Sequence, residues 1–429
     1  MKCRNPVADR GGGSLACMTT DDSRARREVD GVAVQHGISD ETLAAVRWLS
    51  APGIAAIRMR ALRESLGSFA AALEAGESEL AQALGVSPPR AALARDAARR
   101  FDPMPVVEAV RAAGGRPVGV LDDAYPALLR AAPDPPPVLF VQGALDGAPE
   151  AAVAVVGSRR ASGYGRLHAG RIACELAALG VTIVSGGARG IDAEAHRGAM
   201  RAGGRTIAVV ATGLDRCYPP EHRALFDAIL ASGGAVVTEH ACGVEARPES
   251  FPQRNRIVAG LSLVVVVIEA AARSGALVTA RIAVDDLSRE VGCLPGPVDS
   301  AMSAGCHRAI QEGWARLVSG AEDIARMVEE ARSLAVGSAE RAARCSRPVV
   351  TAQARAGIES PPPRRTHSPD AAAALAAIGA RGRAGLDELV EILDWPVPRI
   401  ATAMLELEVA RAVARDAEGA FVLNSDLRR

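Results

Sequence analysis

Short apolar runs recur through the middle of the chain, each long enough for one strand and separated by enough residues for one helix. They read VAVV (153–156), VTIV (181–184), TIAVV (206–210), AVV (235–237) and LVVVV (263–267). Runs this short, rich in β-branched residues and apolar at nearly every position, are read as strands buried on both faces, as in a parallel sheet. The intervening segments, through Leu179, from Ile191, from Glu221 and from about Ala276, have helical length, and REVGCLPG closes the series. The alternation between about 117 and 330 predicts an α/β, Rossmann-like doubly wound domain. The longest apolar stretch, LSLVVVVIEAAA from Leu261, is too short to span a bilayer, so no membrane insertion is expected.

The pattern changes on either side of this domain. Residues 1–37 are polar and aperiodic and are expected to form a disordered tail. Residues 38–102 carry helical periodicity, with Ser39 and Asp40 as caps and two apolar helices around Pro52-Gly53. This predicts a small helical module of SAM or helix-hairpin-helix type. Such a turn holds a DNA phosphate on backbone amides, although packing alone also accounts for the pattern. The Rossmann-like domain is assigned to 103–331 and a Pro/Arg/Ser-rich disordered linker to 332–368. Residues 369–429 contain three amphipathic helices and a hairpin turning at Glu418-Gly419, the outline of a winged helix. Its recognition-helix candidate carries only Arg399 and Arg411 as cations, which favours a protein contact over duplex reading.

Formal net charge is zero, so any basic site is a local patch. Lys2 is the one lysine, which removes the phosphate-binding lysine that a P-loop ATPase needs. The eight cysteines include no C-x-x-C pair, and the N-terminus has no apolar signal-peptide core. Neither a zinc site nor a disulfide framework is expected, and a reducing, cytoplasmic setting fits.

Chemistry concentrates where the predicted strands end. After the first run comes GSRRASGYG, with Gly157, Ser158, Arg159 and Arg160; after the second comes SGGARGID, with Gly186, Gly187, Arg189 and Gly190. Before the LVVVV run lies FPQRNRIVAG, with Arg254, Asn255 and Arg256; after it lies ARSGALVTAR, with Arg273, Ser274, Gly275 and Thr279. Glycines admit a close anion, helix N-termini favour negative charge, and guanidinium groups contact phosphate in pairs of hydrogen bonds. Together the four loops predict an extended polyanion site, with Glu239 and Glu269 organising arginines rather than catalysing. Asp192 and His196 share a helix face at i, i+4, but a capping acid and a packed histidine account for them. No hydrolytic motif is present and no cofactor is expected.

From Tyr125 onward, YPALLRAAPDPPPVLFVQG, VAVVGSRRASGYG, VSGGARGIDAEAHRGAM, TIAVVATGLDRCYPPEHRALF, FPQRNRIVAGLS, SGALVTARIA and CLPGPVDS resemble, in order, the DNA-processing protein A (DprA/Smf) family. The resemblance implies a non-enzymatic, homodimeric, cytoplasmic protein. It would bind and protect single-stranded DNA during natural transformation and load a RecA-type recombinase onto it. By motif, Gly157, Ser158 and Arg159 match the family's phosphate-binding turn. Gly186, Gly187, Arg189 and Gly190 match its second glycine loop, Arg254, Asn255 and Arg256 its R-N-R segment, and Ser274, Gly275 and Thr279 its S-G-x-L-x-T-A segment. The chain departs from the family at EHACG (239–243), His222, His307 and Gly313-Trp314, changes expected to leave the phosphate loops intact. With few aromatic residues, at most one or two stacked bases are expected. Two alternatives stay open: a nucleotide-binding hydrolase of related fold, and a regulator whose winged helix reads duplex DNA.

Overall fold

The computed structural model describes residues 37–51, 54, 56–145, 151–345, 368–381, 383–409, 412–415 and 421–423. The expected N-terminal tail, Pro52-Gly53 and the hairpin tip at Glu418-Gly419 lie outside them. The chain divides into two compact units, Met1–Arg347 and Pro348–Arg429.

The first unit begins with helices α1 (Asp40–Leu49), α2 (Ala56–Leu66), α3 (Phe69–Glu74), α4 (Glu77–Leu84) and α5 (Pro88–Arg100). Ser39 caps α1 by accepting from the Thr42 amide at 3.1 Å. Trp48, Met59, Leu62, Phe69 and Leu80 are buried between these helices, and the Trp48 indole donates to the Phe69 carbonyl at 3.0 Å. Helix α6 (Met104–Ala112) leads into the sheet.

That sheet has nine strands in the order β1-β2-β6-β5-β4-β3-β7-β8-β9. At one edge β1 (Gly115–Gly119) pairs antiparallel with β2 (Val138–Gly143), the short helix α7 (Ala127–Arg130) lying between them in the chain, and β2 pairs antiparallel with β6, so β2 is the strand that runs against the rest. The parallel part is β3 (Ala152–Val156), β4 (Thr182–Ser185), β5 (Thr206–Val209), β6 (Ala235–Thr238), β7 (Val264–Val267), β8 (Glu290–Cys293) and β9 (Arg316–Leu317). The crossovers are α8 (Gly163–Ala178), α9 (Ile191–Arg201), α10 (Arg223–Ala231), α11 (Ser250–Gly260), α12 (Gly275–Arg281, continued as a π-helical turn) and α13 (Ala304–Gln311), and α14 (Ala321–Cys345) follows β9.

Alternation along β3 and β7 splits the core into two layers. Val153, Val155, Val264 and Val266 pack with α8, α9 and α14 on one face. Ala154, Val156, Val265 and Val267 pack with α10, α11 and the N-terminal helices on the other. Each fully buried valine contributes about 1.5–3 kcal/mol relative to exposure. The chain leaves β3 towards β4 on one side and returns to β7 on the other, so the carboxyl ends of β3 and β7 flank a topological switch point. In open α/β sheets, ligands bind in the crevice at that point.

Helix α14 continues through residues 332–345, where the sequence reading begins a linker. The segment is rich in alanine and arginine, strong helix formers that outweigh its one glycine. Residues 346–367 lie outside the described set.

The second unit comprises α15 (Pro369–Arg381), β10 (Arg383–Ala384), α16 (Leu386–Leu393), α17 (Val397–Val409), β11 (Val413–Arg415) and β12 (Phe421–Leu423). Its three-stranded sheet has the order β10-β12-β11, and Ala374, Ile378, Leu389, Ile400, Met404 and Phe421 form the core. This is a winged-helix arrangement. Arg399 on α17 is held by both oxygens of Asp370, at 2.8 and 2.6 Å, and lies 4.2 Å from the Trp395 ring centroid. It is therefore engaged within the unit.

Candidate nucleic-acid interface

The turn after β3 is fastened to the end of β7. The Ser158 amide donates to the Glu269 carbonyl at 2.8 Å, and the buried Ser158 hydroxyl accepts from the Arg160 amide at 3.0 Å. A Cβ on Gly157 would lie 2.5 Å from Ile191, so only glycine lets β3 and α9 approach this closely. The Glu269 carboxylate then reaches the start of α8, where it accepts from the Ser162 amide at 2.9 Å and the Ser162 hydroxyl at 2.6 Å. Gly165 belongs to the same contact, since a Cβ there would fall 2.3 Å from Glu269 Oε2. In dinucleotide-binding folds this helix N-terminus receives the pyrophosphate. Here a carboxylate of the chain itself occupies that position, so Glu269 organises the loop rather than its arginines.

Arg159 is thereby left on the outer side of the turn, exposed, with its guanidinium carbon 4.4 Å from the Phe251 ring centroid. Tyr218 lies beside Phe251 with ring centroids 5.6 Å apart.

The second glycine loop is shaped from within. Asp192 accepts from the amides of Gly186 at 3.1 Å and Ala188 at 3.3 Å, so those donors are already satisfied. Burial raises the Asp192 pKa, opposed by the nearby Arg254 charge and by these two amides. Gly190, at φ 75°, packs against the first turn: a Cβ would lie 2.3 Å from the Ser158 carbonyl, which also accepts from the Ile191 amide at 3.2 Å. Beneath the loop, buried His222 donates from Nδ1 to the Gly187 carbonyl at 2.9 Å, a geometry that fixes its tautomer. The family departure at His222 therefore contacts the second glycine loop directly. Arg189 is exposed and ion-paired with Glu221.

On α11 the three residues of the R-N-R segment take different directions. Arg254 is 5% exposed, donates from Nη1 to the Val209 carbonyl at 2.7 Å, and lies so close to Gly186 that any Cβ there would collide with it. Burial lowers its pKa to about 10 despite the opposing influence of Asp192. Asn255 faces α12 and reaches the Gly275 carbonyl at 3.5 Å. Arg256 turns away to Glu239 and Asp134, tying the end of β6 to the loop before β2. Glu239 thus does organise an arginine, and burial raises its pKa against the pull of Arg256. Ser274 caps α12, and Thr279 donates to the Gly275 carbonyl at 3.5 Å.

These elements enclose a cleft of ≈ 590 Å³ at the carboxyl ends of β3, β4 and β7. Gly157, Arg159, Gly186, Arg254, Asn255, Ser274, Gly275 and Thr279 line it, as the sequence reading groups them. Ser158, Arg160, Gly187, Arg189, Gly190 and Arg256 do not, and they either shape the loops or stand at the margin. Tyr218, Phe251 and Asp192 line the cleft without having been anticipated as ligand contacts. Phe251 lies three residues before Arg254 on one helix, and that i, i+3 spacing is the signal that could have found it. His196 is turned away to Thr206 Oγ1 at 2.7 Å and burial lowers its pKa to about 3, so it forms no acid–base pair with Asp192. Among the described residues no cluster of metal-ligating side chains occurs, and no helix is long and apolar enough to cross a membrane.

Residues 116–329 match the family model for DNA recombination-mediator protein A, and residues 359–419 match that for the DprA winged helix domain. The chain is 48% identical over 201 residues to Protein Smf of Escherichia coli, a match covering 47% of this chain and 53% of that protein. It is 34% identical over 308 residues to Protein Smf of Synechocystis, covering 69% of this chain and 77% of the relative. The crystal structure of DNA processing protein A from Streptococcus pneumoniae superimposes with a TM-score of 0.57 at 33% identity, covering 65% of this chain and 95% of that one. On these matches, the chain belongs to the DNA recombination-mediator protein A family.

Proposed function

We propose that the cleft holds the backbone of single-stranded DNA, that the protein binds the strand without chemically altering it, and that it acts in DNA processing. The observation that carries this reading is Arg159: an exposed guanidinium without an ion pair among the described residues, beside the ring of Phe251, at the switch-point crevice. A phosphate is matched to the cation and an unpaired base to the aromatic faces of Phe251 and Tyr218. Duplex DNA keeps its base faces inside the stack, which favours single strands. Arg160 and Arg273, both exposed, add charge that no carboxylate among the described residues offsets. The binding role is supported by the engagement of Asp192 with two amides and of His196 with Thr206, which leaves neither poised for proton transfer. Glu269 at the start of α8 disfavours the nucleotide-hydrolase alternative. The engagement of Arg399 by Asp370 and Trp395, on a helix poor in other cations, disfavours duplex reading by the winged helix.

Protection of the bound strand, loading of a RecA-type recombinase, homodimer formation and a cytoplasmic setting complete the proposal, following from family membership. The test is fluorescence anisotropy with a labelled thymidine oligomer across a salt series, with matched duplex as competitor. Salt-steep binding that prefers the single strand and weakens in Arg159→Ala and Arg189→Ala is expected. Unchanged binding in both variants would overturn the assignment.

A further inference from the structure

A second cleft, of ≈ 520 Å³, lies next to the first and shares Tyr218 as a wall. It is formed by the segment after β5, which supplies Thr212, Asp215 and Arg216, by Glu245 beyond β6, and by Arg223 at the start of α10. The first cleft thus stands over the carboxyl ends of β7, β3 and β4, and the second over those of β5 and β6, which follow in the same sheet order.

The charges in the second cleft are unevenly engaged. Asp215 accepts from the Gly243 amide at 2.8 Å and pairs with Arg216 at 3.3 Å. Glu245 also pairs with Arg216, at 3.8 Å. Glu221, near the same wall, is held by Arg189. Arg223 is exposed and has neither an ion pair nor a side-chain hydrogen bond among the described residues, so it is the cation here that no carboxylate engages.

We propose that the DNA strand continues from the first cleft across Tyr218 into the second, where Arg223 takes a backbone phosphate, giving a second nucleotide subsite. The proposal rests on the single-strand reading above. Adjacent strands lie about 4.8 Å apart, so the path from β7 to β6 crosses four intervals, about 19 Å. At about 3.4 Å per nucleotide in a stacked strand, that corresponds to about five or six nucleotides, whereas the first cleft alone takes about three. A linear polyanion can engage both clefts, and a mononucleotide only one.

The experiment compares thymidine oligomers of about three and about eight nucleotides, on either side of that length, as competitors of a labelled long oligomer. It uses the full chain and its Arg223→Ala and Arg159→Ala variants, with a melting curve for each. Arg223→Ala is expected to melt like wild type, to weaken the longer oligomer several-fold and to leave the shorter one unchanged. Arg159→Ala is expected to weaken both. If Arg223→Ala leaves both lengths unchanged, or weakens both equally, the second subsite is wrong. If Arg159→Ala leaves both unchanged, the first-cleft reading fails instead, so the two failures are distinguishable.

Discussion

Arg159 and Arg254 line one cleft, yet their removal is expected to register in different quantities. Arg159 is exposed and forms no ion pair among the described residues, so Arg159→Ala should change folding stability by no more than about 0.5 kcal/mol. It should remove one phosphate contact and make the slope of log K against log salt shallower by about 0.7. Across a fourfold rise in salt, the affinity gap between wild type and variant then narrows about 2.6-fold. Arg254, by contrast, is 5% exposed, donates to the Val209 carbonyl and opposes the charge of buried Asp192. Its replacement by alanine leaves that carbonyl without its donor and Asp192 without its nearby counter-charge. The expected loss is roughly 2–5 kcal/mol of stability, with little change in salt slope for the fraction that stays folded. Urea unfolding followed by circular dichroism, and anisotropy salt series on the same preparations, separate the two. A wild-type unfolding midpoint combined with a flattened salt slope in Arg254→Ala would make Arg254 a phosphate ligand and refute this division of roles.

Glu221 holds Arg189, which is proposed to contact the strand, so Glu221→Gln should tighten thymidine-oligomer binding about two- to fivefold at low salt; an anisotropy titration showing weaker binding would count against it. Gly190→Ala places a Cβ against the Ser158 carbonyl at a φ of 75°, and should cost at least about 1–3 kcal/mol in urea unfolding. An unchanged midpoint would mean that the two glycine loops do not interlock. His196 has a folded-state pKa of about 3 against 6.5 when free, so as pH falls through 6.5 the unfolded chain takes up a proton that the folded protein does not. Stability therefore declines as pH falls from 6.5 towards 3, and the share due to His196 is about 2 kcal/mol between pH 7 and pH 5. His196→Gln should remove about that much from the difference in unfolding free energy between the two pH values; an undiminished difference would place the titration elsewhere.

The parallel strands are legible in the sequence because burial on both faces forces every position of β3 and β7 to be apolar, which few other contexts require. The glycine-bearing turns are legible for a similar reason: each falls where a strand ends and a helix begins. The direction of each arginine is not, because it is decided by partners distant in sequence. Arg256 points towards Glu239 and Asp134, and nothing in R-N-R foretells that. Gly186 reads as room for a phosphate, whereas it makes room for the Arg254 guanidinium. The antiparallel pair β1 and β2 is likewise hidden, since GRPVG carries no alternating pattern of its own.

The carboxylate at the start of α8 bears on what this groove meets in a cell crowded with free nucleotides. An open cradle of amides at that helix end would draw in dinucleotides and triphosphates at every encounter, and a strand would have to displace them. With Glu269 hydrogen-bonded there, such molecules meet a like charge. Affinity can then come from repetition along a polymer rather than from one tight phosphate seat, and strand binding should be insensitive to added adenine nucleotides.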